Sequence, residues 1–177
     1  MECFKLEDIS REIQLFKDRE ENSLTKLEKR RWKVLQELVW CKPIVDFLNV
    51  DCDKVCKDIS LEAQGIDCII EQTNGAKIYL QLVNANDYDM KPTPGMKEIN
   101  LSGIPIVGAA SKKCLHYCKR GIDMKNIVLL INGNNIGTKI DELVKEASFL
   151  REFERLPCFK EIYYITDKGV YCLKSGI

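Results

Sequence analysis

Histidine is almost missing from the 177-residue chain; His116 is the only one. A serine-hydrolase triad therefore has little to build on, and no Gly-x-Ser-x-Gly segment is present. A Cys–His protease would have to rest on His116 alone, with no local signature around it. The glycine patterns of phosphate loops and of dinucleotide-binding turns are missing too. No apolar run approaches the ~18–20 residues of a membrane span, so no membrane association is expected. The opening MECFKLEDISREI carries acids and no apolar core, which argues against a secretory leader and for a cytoplasmic protein. Charge of one sign is not in excess: 27 Lys+Arg balance 27 Asp+Glu. That excludes a globally basic nucleic-acid binder but leaves room for a local basic patch. No internal repeat or low-complexity tract is visible. With 45% hydrophobic and 31% charged residues, the chain is a globular domain of ordinary composition. Its length suits one domain spanning residues 1–177.

Cysteine, by contrast, is plentiful: nine, an odd number. Without an export signal, reduced thiols are the default. Cys68 and Cys172 lie in apolar, strand-like stretches and read as small core residues. Cys52/Cys56 and Cys114/Cys118 each have the spacing of one helical turn, the latter pair flanking His116. Four thiolates could hold zinc or an iron–sulfur cluster. However, Cys-x-x-Cys spacing is missing, and i, i+4 cysteines also arise wherever a helix buries one face. Free thiols, with no zinc or iron–sulfur cluster, are the expectation.

Apolar periodicity makes residues 1–41 an N-terminal helical region. Leu6, Ile9, Ile13 and Phe16 form one stripe; Leu24, Leu27, Val34, Leu35, Leu38 and Val39 form a second. Asn22-Ser23 is a candidate break, leaving either two helices or one bent one, and Thr25 with Glu28 matches a capping box. Pro43 is expected to end this region. PIVDFL reads as a short buried turn or helix, DCDKVCKD as a polar loop, and DISLEA as a first short strand. Residues 58–177 are then expected to form a mixed sheet with two flanking helices. Runs 66–71 and 77–83 flank Asn74-Gly75, the pair that best tolerates the positive φ of a tight hairpin. NDYDMKPTPGM is a Pro/Gly-broken loop, either a lid or a poorly ordered stretch. Pro105 can open a helix that buries Ile106, Val107, Ala110, Cys114 and Cys118 and stops at Gly121. NIVLLIN (126–132) is a continuous apolar run suited to a central strand, and GNNIGT is a turn. Ile140, Leu143, Val144, Ala147, Leu150 and Phe153 mark one amphipathic helix, with Gly137 or Thr138 near its cap. Residues 160–166 and 170–173 form a C-terminal hairpin turning at Asp167-Lys168-Gly169. The predicted class is α/β: a mixed β-sheet flanked by helices.

Two short segments give the chain a resemblance. Gly65-Ile66-Asp67 opens the second strand of the meander, and Gln81-Leu82-Val83 lies on the third, with thirteen residues between Asp67 and Gln81. With the order helix, three-strand meander, helix, strand, this resembles the PD-(D/E)XK nuclease superfamily, the restriction-endonuclease-like fold. That family places an Asp at the second strand and an acid or Gln two residues before a Lys on the third. The Gln form is similar to that of modification-dependent restriction enzymes. The resemblance covers roughly residues 24–132, and its motif is short. It implies Asp67 and Gln81 as metal-site residues, with Mg²⁺ as the ion, because Mg²⁺ takes hard oxygen ligands. One carboxylate and one amide would bind it weakly. The chain departs from the family at Val83, which cannot supply the lysine's ammonium. Lys77 lies on the same strand face but ~20 Å away along the strand. In some members the lysine moves to the next helix, which implicates Lys112 and Lys113. Glu28 or Glu37 is the candidate for the acid that the first helix sometimes contributes.

Each of these residues also has a plainer reading. Asp67 can be an ordinary strand-start residue, Gln81 a backbone partner, Val83 core. Lys112, Lys113, Lys119 and Arg120 can be the wet face of a helix or, as the densest basic group, can follow a phosphate backbone. Tyr79, Tyr88 and Tyr117 are candidates for base stacking or for plain packing. The leading expectation is a nuclease-like fold with a degenerate site that binds nucleic acid or a protein partner without efficient cleavage. An active metal-dependent DNA or RNA endonuclease with a relocated lysine is the alternative. An unrelated α/β regulatory, defence or mobile-element protein is the third reading. Each is compatible with a homodimer.

Overall fold

In a computed structural model of the chain, residues 1–17, 19, 23–85, 104–133 and 140–176 are described. The expectations for residues 86–96, Tyr88, Asn22, Gly137 and Thr138 lie outside them. Among the described residues are seven strands with both helices and strands throughout, so the class is α/β. The chain packs as two compact units, Met1–Leu80 and Gln81–Ile177.

The first unit contains β1 (Glu2–Phe4), α1 (Leu6–Lys17), α2 (Lys26–Leu38), α3 (Cys41–Leu48), β2 (Cys52–Lys57), α4 (Ile59–Glu62), β3 (Cys68–Gln72) and the start of β4 (Lys77–Asn84). β1 pairs with β2, β2 with β3 and β3 with β4, all antiparallel. The expected hairpin is present. Cys68 faces Leu80 and Glu71 faces Lys77 in register. Gly75 turns the chain at φ +82°, and the Asn74 side chain accepts from the Ala76 N–H. The N-terminal region resolves into two separate helices. Arg31 of α2 reaches Glu12 of α1 at 2.7 Å, and the Phe16 and Trp32 rings lie 5.6 Å apart. The capping box at the start of α2 is complete: Glu28 N–H donates to Thr25 Oγ1, and Thr25 N–H donates back to Glu28.

Three local expectations fail in this unit. Pro43 does not end the helical region but sits in the first turn of α3, where its missing N–H has no intrahelical partner to lose. The polar CDKVCK is strand β2, not a loop. Its Val55, Cys56 and Lys57 are buried, and the burial of a lysine hid the pattern. DISLEA is helical rather than extended: Asp58 caps the single turn α4 by accepting from the Ser60 N–H. The core is built from Val34, Leu35 and Leu38 of α2 and Cys41, Ile44 and Val45 of α3. It packs against Val55, Ile69, Ile70 and Leu80 of the sheet.

The second unit contains the end of β4, α5 (Ile104–Lys119), β5 (Ile127–Asn132), α6 (Ile140–Leu143), α7 (Ala147–Glu154), β6 (Glu161–Thr166) and β7 (Gly169–Lys174). β5 and β6 are parallel and β6 and β7 antiparallel, so the pairing is mixed, as predicted. β5 is buried over its first five residues, as its apolar continuity requires. α5 stops at Gly121, φ +66°. The single helix expected over residues 140–153 is broken into α6 and α7. Phe149, outside the expected stripe, turns inward with Phe153, while Ala147 is exposed. Cys118 and Cys172, expected in the core, are both exposed; Tyr117 and Leu173 take the inward positions.

Candidate functional site

Gln81 lies on β4 and is 1% exposed. Its Oε1 accepts from the Tyr117 hydroxyl of α5 at 2.5 Å, and its Nε2 donates to the Leu82 carbonyl at 2.9 Å. A buried amide must satisfy its polar atoms inside the protein, and Gln81 does so through a tyrosine that is itself buried. The carbonyl oxygen that a cation would need already accepts a hydrogen bond. Tyr117 is thereby accounted for by packing and this bond rather than by an open stacking surface. Val83, two residues on, is half-buried. Asp67 falls in the first unit, half-buried just before β3, and its N–H donates to the Leu80 carbonyl at 2.8 Å.

The basic residues of α5 form a face. Lys112, His116, Lys119 and Arg120 are exposed, and Lys113 is half-exposed with its ammonium 6.0 Å from the Tyr117 ring centroid. Arg120 lies 3.3 Å from His116 Nε2. No Asp or Glu occurs anywhere in α5. The chain thus turns the apolar positions Ile106, Ala109, Ala110 and Tyr117 inward and concentrates cations outward.

A second basic feature, missed in the sequence, belongs to the first unit. Lys26, Lys29, Arg30 and Lys33 of α2 line a cavity of about 410 Å³ together with Val34, Glu37, Lys57, Ile59 and Glu62. Lys57 is its buried end, with a side chain 8% exposed between the carboxylates of Glu37 and Glu62, the latter at 3.0 Å. Burial alone would pull the Lys57 pKa down. Its hydrogen bonds to Glu37 and then Glu62 outweigh that and hold it above the ordinary lysine value. Glu37, named as a candidate acid, is thus the ion-pair partner of Lys57. Glu28, the other candidate, is engaged by Arg19 and by the Thr25 cap.

The cysteines correct two expectations. The thiols are not all free: Cys3–Cys56 and Cys114–Cys158 are disulfide-bonded. Cys3 and Cys56 are directly opposed across the β1–β2 ladder, with Cα atoms 4.1 Å apart. The expectation of no metal site at the cysteines is also overturned. The sulfurs of Cys114, Cys118 and Cys158 all lie within 4.8 Å of one another. Cys158, three residues before β6, is the member that sequence spacing could not reveal, because only the fold brings it to α5. Cys68 behaves as expected: it is buried, and a hydrogen bond with Cys41, followed by burial, keeps its thiol protonated. Cys52 is likewise pushed up by burial.

Comparison with known protein families, with curated proteins and with solved structures found no match. No helix among the described residues is long and apolar enough to cross a membrane.

Proposed function

We propose that the chain binds nucleic acid along the basic face of α5 and does not cleave it efficiently. The observation that carries this reading is the acid-free outer face of α5, with Lys112, Lys113, His116, Lys119 and Arg120 on a helix whose inward Tyr117 is bonded to the buried Gln81. Cations grouped on one helix neutralise phosphates without reading bases, so the binding is electrostatic and tolerant of sequence. Absence of turnover follows from Val83, which offers no ammonium to a scissile phosphate, and from the engaged amide of Gln81. The reading takes the fold as restriction-endonuclease-like. Its support is the order of α2 and α3, the antiparallel β2–β3–β4, then α5 and β5.

Fluorescence anisotropy with labelled single- and double-stranded oligonucleotides tests it. With four phosphates neutralised, raising salt from 50 to 200 mM should weaken duplex binding by roughly 10²-fold. Reversing Lys112, Lys113, Lys119 and Arg120 to Glu should abolish binding, whereas reversing Lys26, Lys29 and Lys33 on α2 should leave most of it. Salt-insensitive binding, or none, would replace this reading with a protein partner. Rapid cleavage with divalent cations in the buffer would replace it with an active nuclease.

A further inference from the structure

We propose that Cys114, Cys118 and Cys158, once reduced, form a three-thiolate site for zinc whose fourth position is open to water or an external ligand. The site lies within the second unit and does not depend on nucleic-acid binding. Cys114 and Cys118 sit one turn apart on α5 and so project from the same flank of that helix. Cys158 comes from the segment between α7 and β6. That segment is pinned by the buried Phe159 and by Lys160 N–H donating to the Ile127 carbonyl at 3.1 Å. The Cys118 and Cys158 sulfurs are 2.9 Å apart, and all three lie within 4.8 Å. Tetrahedral zinc with Zn–S bonds of ~2.3 Å needs sulfurs ~3.8 Å apart, a value between those two distances. The Cys114 and Cys158 sulfurs, bonded to each other in the oxidised form, must first separate on reduction to reach that spacing.

The donor set selects the metal. Thiolates favour zinc over magnesium or calcium, which take oxygen ligands. Iron–sulfur clusters ordinarily need four cysteines. Among the described residues no fourth Cys, His, Asp or Glu joins the group. His116 is two residues from each helical cysteine, on the other side of α5, with its Nε2 toward Arg120. The fourth place is therefore left to a small ligand, the arrangement of zinc sites that do chemistry rather than of closed structural ones. A zinc ion with three thiolates carries a net charge of −1, and Lys113, Lys119 and Arg120 flank the ligands along the chain. They offset the unfavourable placing of an anion near the C-terminal end of α5. Packing explains the cluster less well, because Cys118 is exposed.

The Cys114–Cys158 disulfide is the oxidised alternative to the metal site. A phosphine or dithiol reductant supplies two electrons, and two protons enter to give two thiols. Zinc then displaces one proton from each of the three thiols as three Zn–S bonds form.

The test uses the full chain, reduced with a phosphine under argon, with reduction checked by thiol titration. Co²⁺ is titrated in as a spectroscopic probe, then displaced with Zn²⁺. A thiolate-to-Co²⁺ charge-transfer band saturating at one equivalent and lost on adding one equivalent of Zn²⁺ is expected. Cys118→Ser, at an exposed position that should not impair folding, and Cys158→Ser should each remove it. Cys172→Ser, an exposed cysteine elsewhere in the same unit, should keep it. No band in fully reduced protein, or a band that survives both Cys118→Ser and Cys158→Ser, would overturn the proposal. So would equal loss in Cys172→Ser.

Discussion

Among the described residues each unit buries one polar side chain of a kind that normally seeks water, and the two are satisfied in different ways. In the first unit Lys57 brings a full charge beneath the surface and is held by two carboxylates, Glu37 and Glu62, that themselves reach solvent. In the second, Gln81 is neutral and more deeply buried, and its partners include the Tyr117 hydroxyl and the Leu82 carbonyl. A buried ammonium without counter-charges would lose its proton or drag water inward; a buried amide needs only geometry. A cavity lies beside the ion-paired Lys57, lined by more cations than acids. The neutral solution seals the position that the nuclease resemblance marked as chemical. The basic face of α5 and the sealed Gln81 are thus two sides of one helix–strand contact: Tyr117 faces inward because its neighbours 112, 116, 119 and 120 are charged or polar and face out.

The difference can be broken most forcefully at Lys57. Removing both carboxylates with Glu37→Ala and Glu62→Ala leaves the ammonium without its partners. The expected loss is about 2–3 kcal/mol, below the ~3–5 kcal/mol of a fully buried pair because both carboxylates are partly exposed. Urea titration checks it. Lys57→Met should cost much less, since it removes the buried charge and leaves two acids that water can solvate. Equal losses for the two changes would mean that the ion pair itself, rather than its breakage, carries the stability.

Gln81 should respond more mildly. Gln81→Leu removes the acceptor for the Tyr117 hydroxyl and should cost about 1–2 kcal/mol. Tyr117→Phe in the same background should then cost less than it does alone, giving a coupling of about 1 kcal/mol in a double-mutant cycle. Additive losses would show that the 2.5 Å contact contributes nothing beyond packing.

Much of this contrast could be read from the sequence, and the reasons it could not all be read are specific. The hairpin at Asn74-Gly75, the cap at Thr25 and the apolar β5 declare themselves because turn chemistry, capping and continuous burial are local. Strand β2 does not, since Lys57 is buried by carboxylates 20 residues before it and five after it, and a lysine in a short run reads as solvent-facing. The α6–α7 break escapes for a related reason: on one continuous helix Phe149 would lie opposite Ile140, and only the break lets both turn inward, Phe149 with Phe153 one turn on. Residues 81, 112 and 113 were legible as candidates through the resemblance, but the bond from Tyr117 to Gln81 was not. The three-cysteine group was half legible: Cys114 and Cys118 share a helical turn, while Cys158 is placed only by tertiary structure.

The smallest expected effect lies at the edge of the first unit, where polar groups are satisfied at the surface and the buried cases have their control. Thr25→Ala removes the hydroxyl that accepts from the Glu28 N–H and should cost ~1 kcal/mol at neutral pH. The effect should also depend on pH. Glu28 is held at about 2, below its ordinary 4.5, first by its hydrogen bond from Arg19 and then by those from Thr25. A carboxylate whose folded pKa is depressed adds stability above its unfolded value, and that contribution disappears as pH falls through the folded one. The Glu28 contribution should therefore be complete above pH ~4.5, fade below it and be gone near pH 2. Because Thr25 and Glu28 bond reciprocally, the part of the Thr25→Ala penalty that passes through the carboxylate should fade over the same window, while Lys57 stays charged throughout it. Chemical denaturation of native and Thr25→Ala protein at pH 7, 4 and 2.5 measures this. A penalty that does not change across the three pH values would place the cap's contribution in the Thr25 hydroxyl alone, with Glu28 merely adjacent.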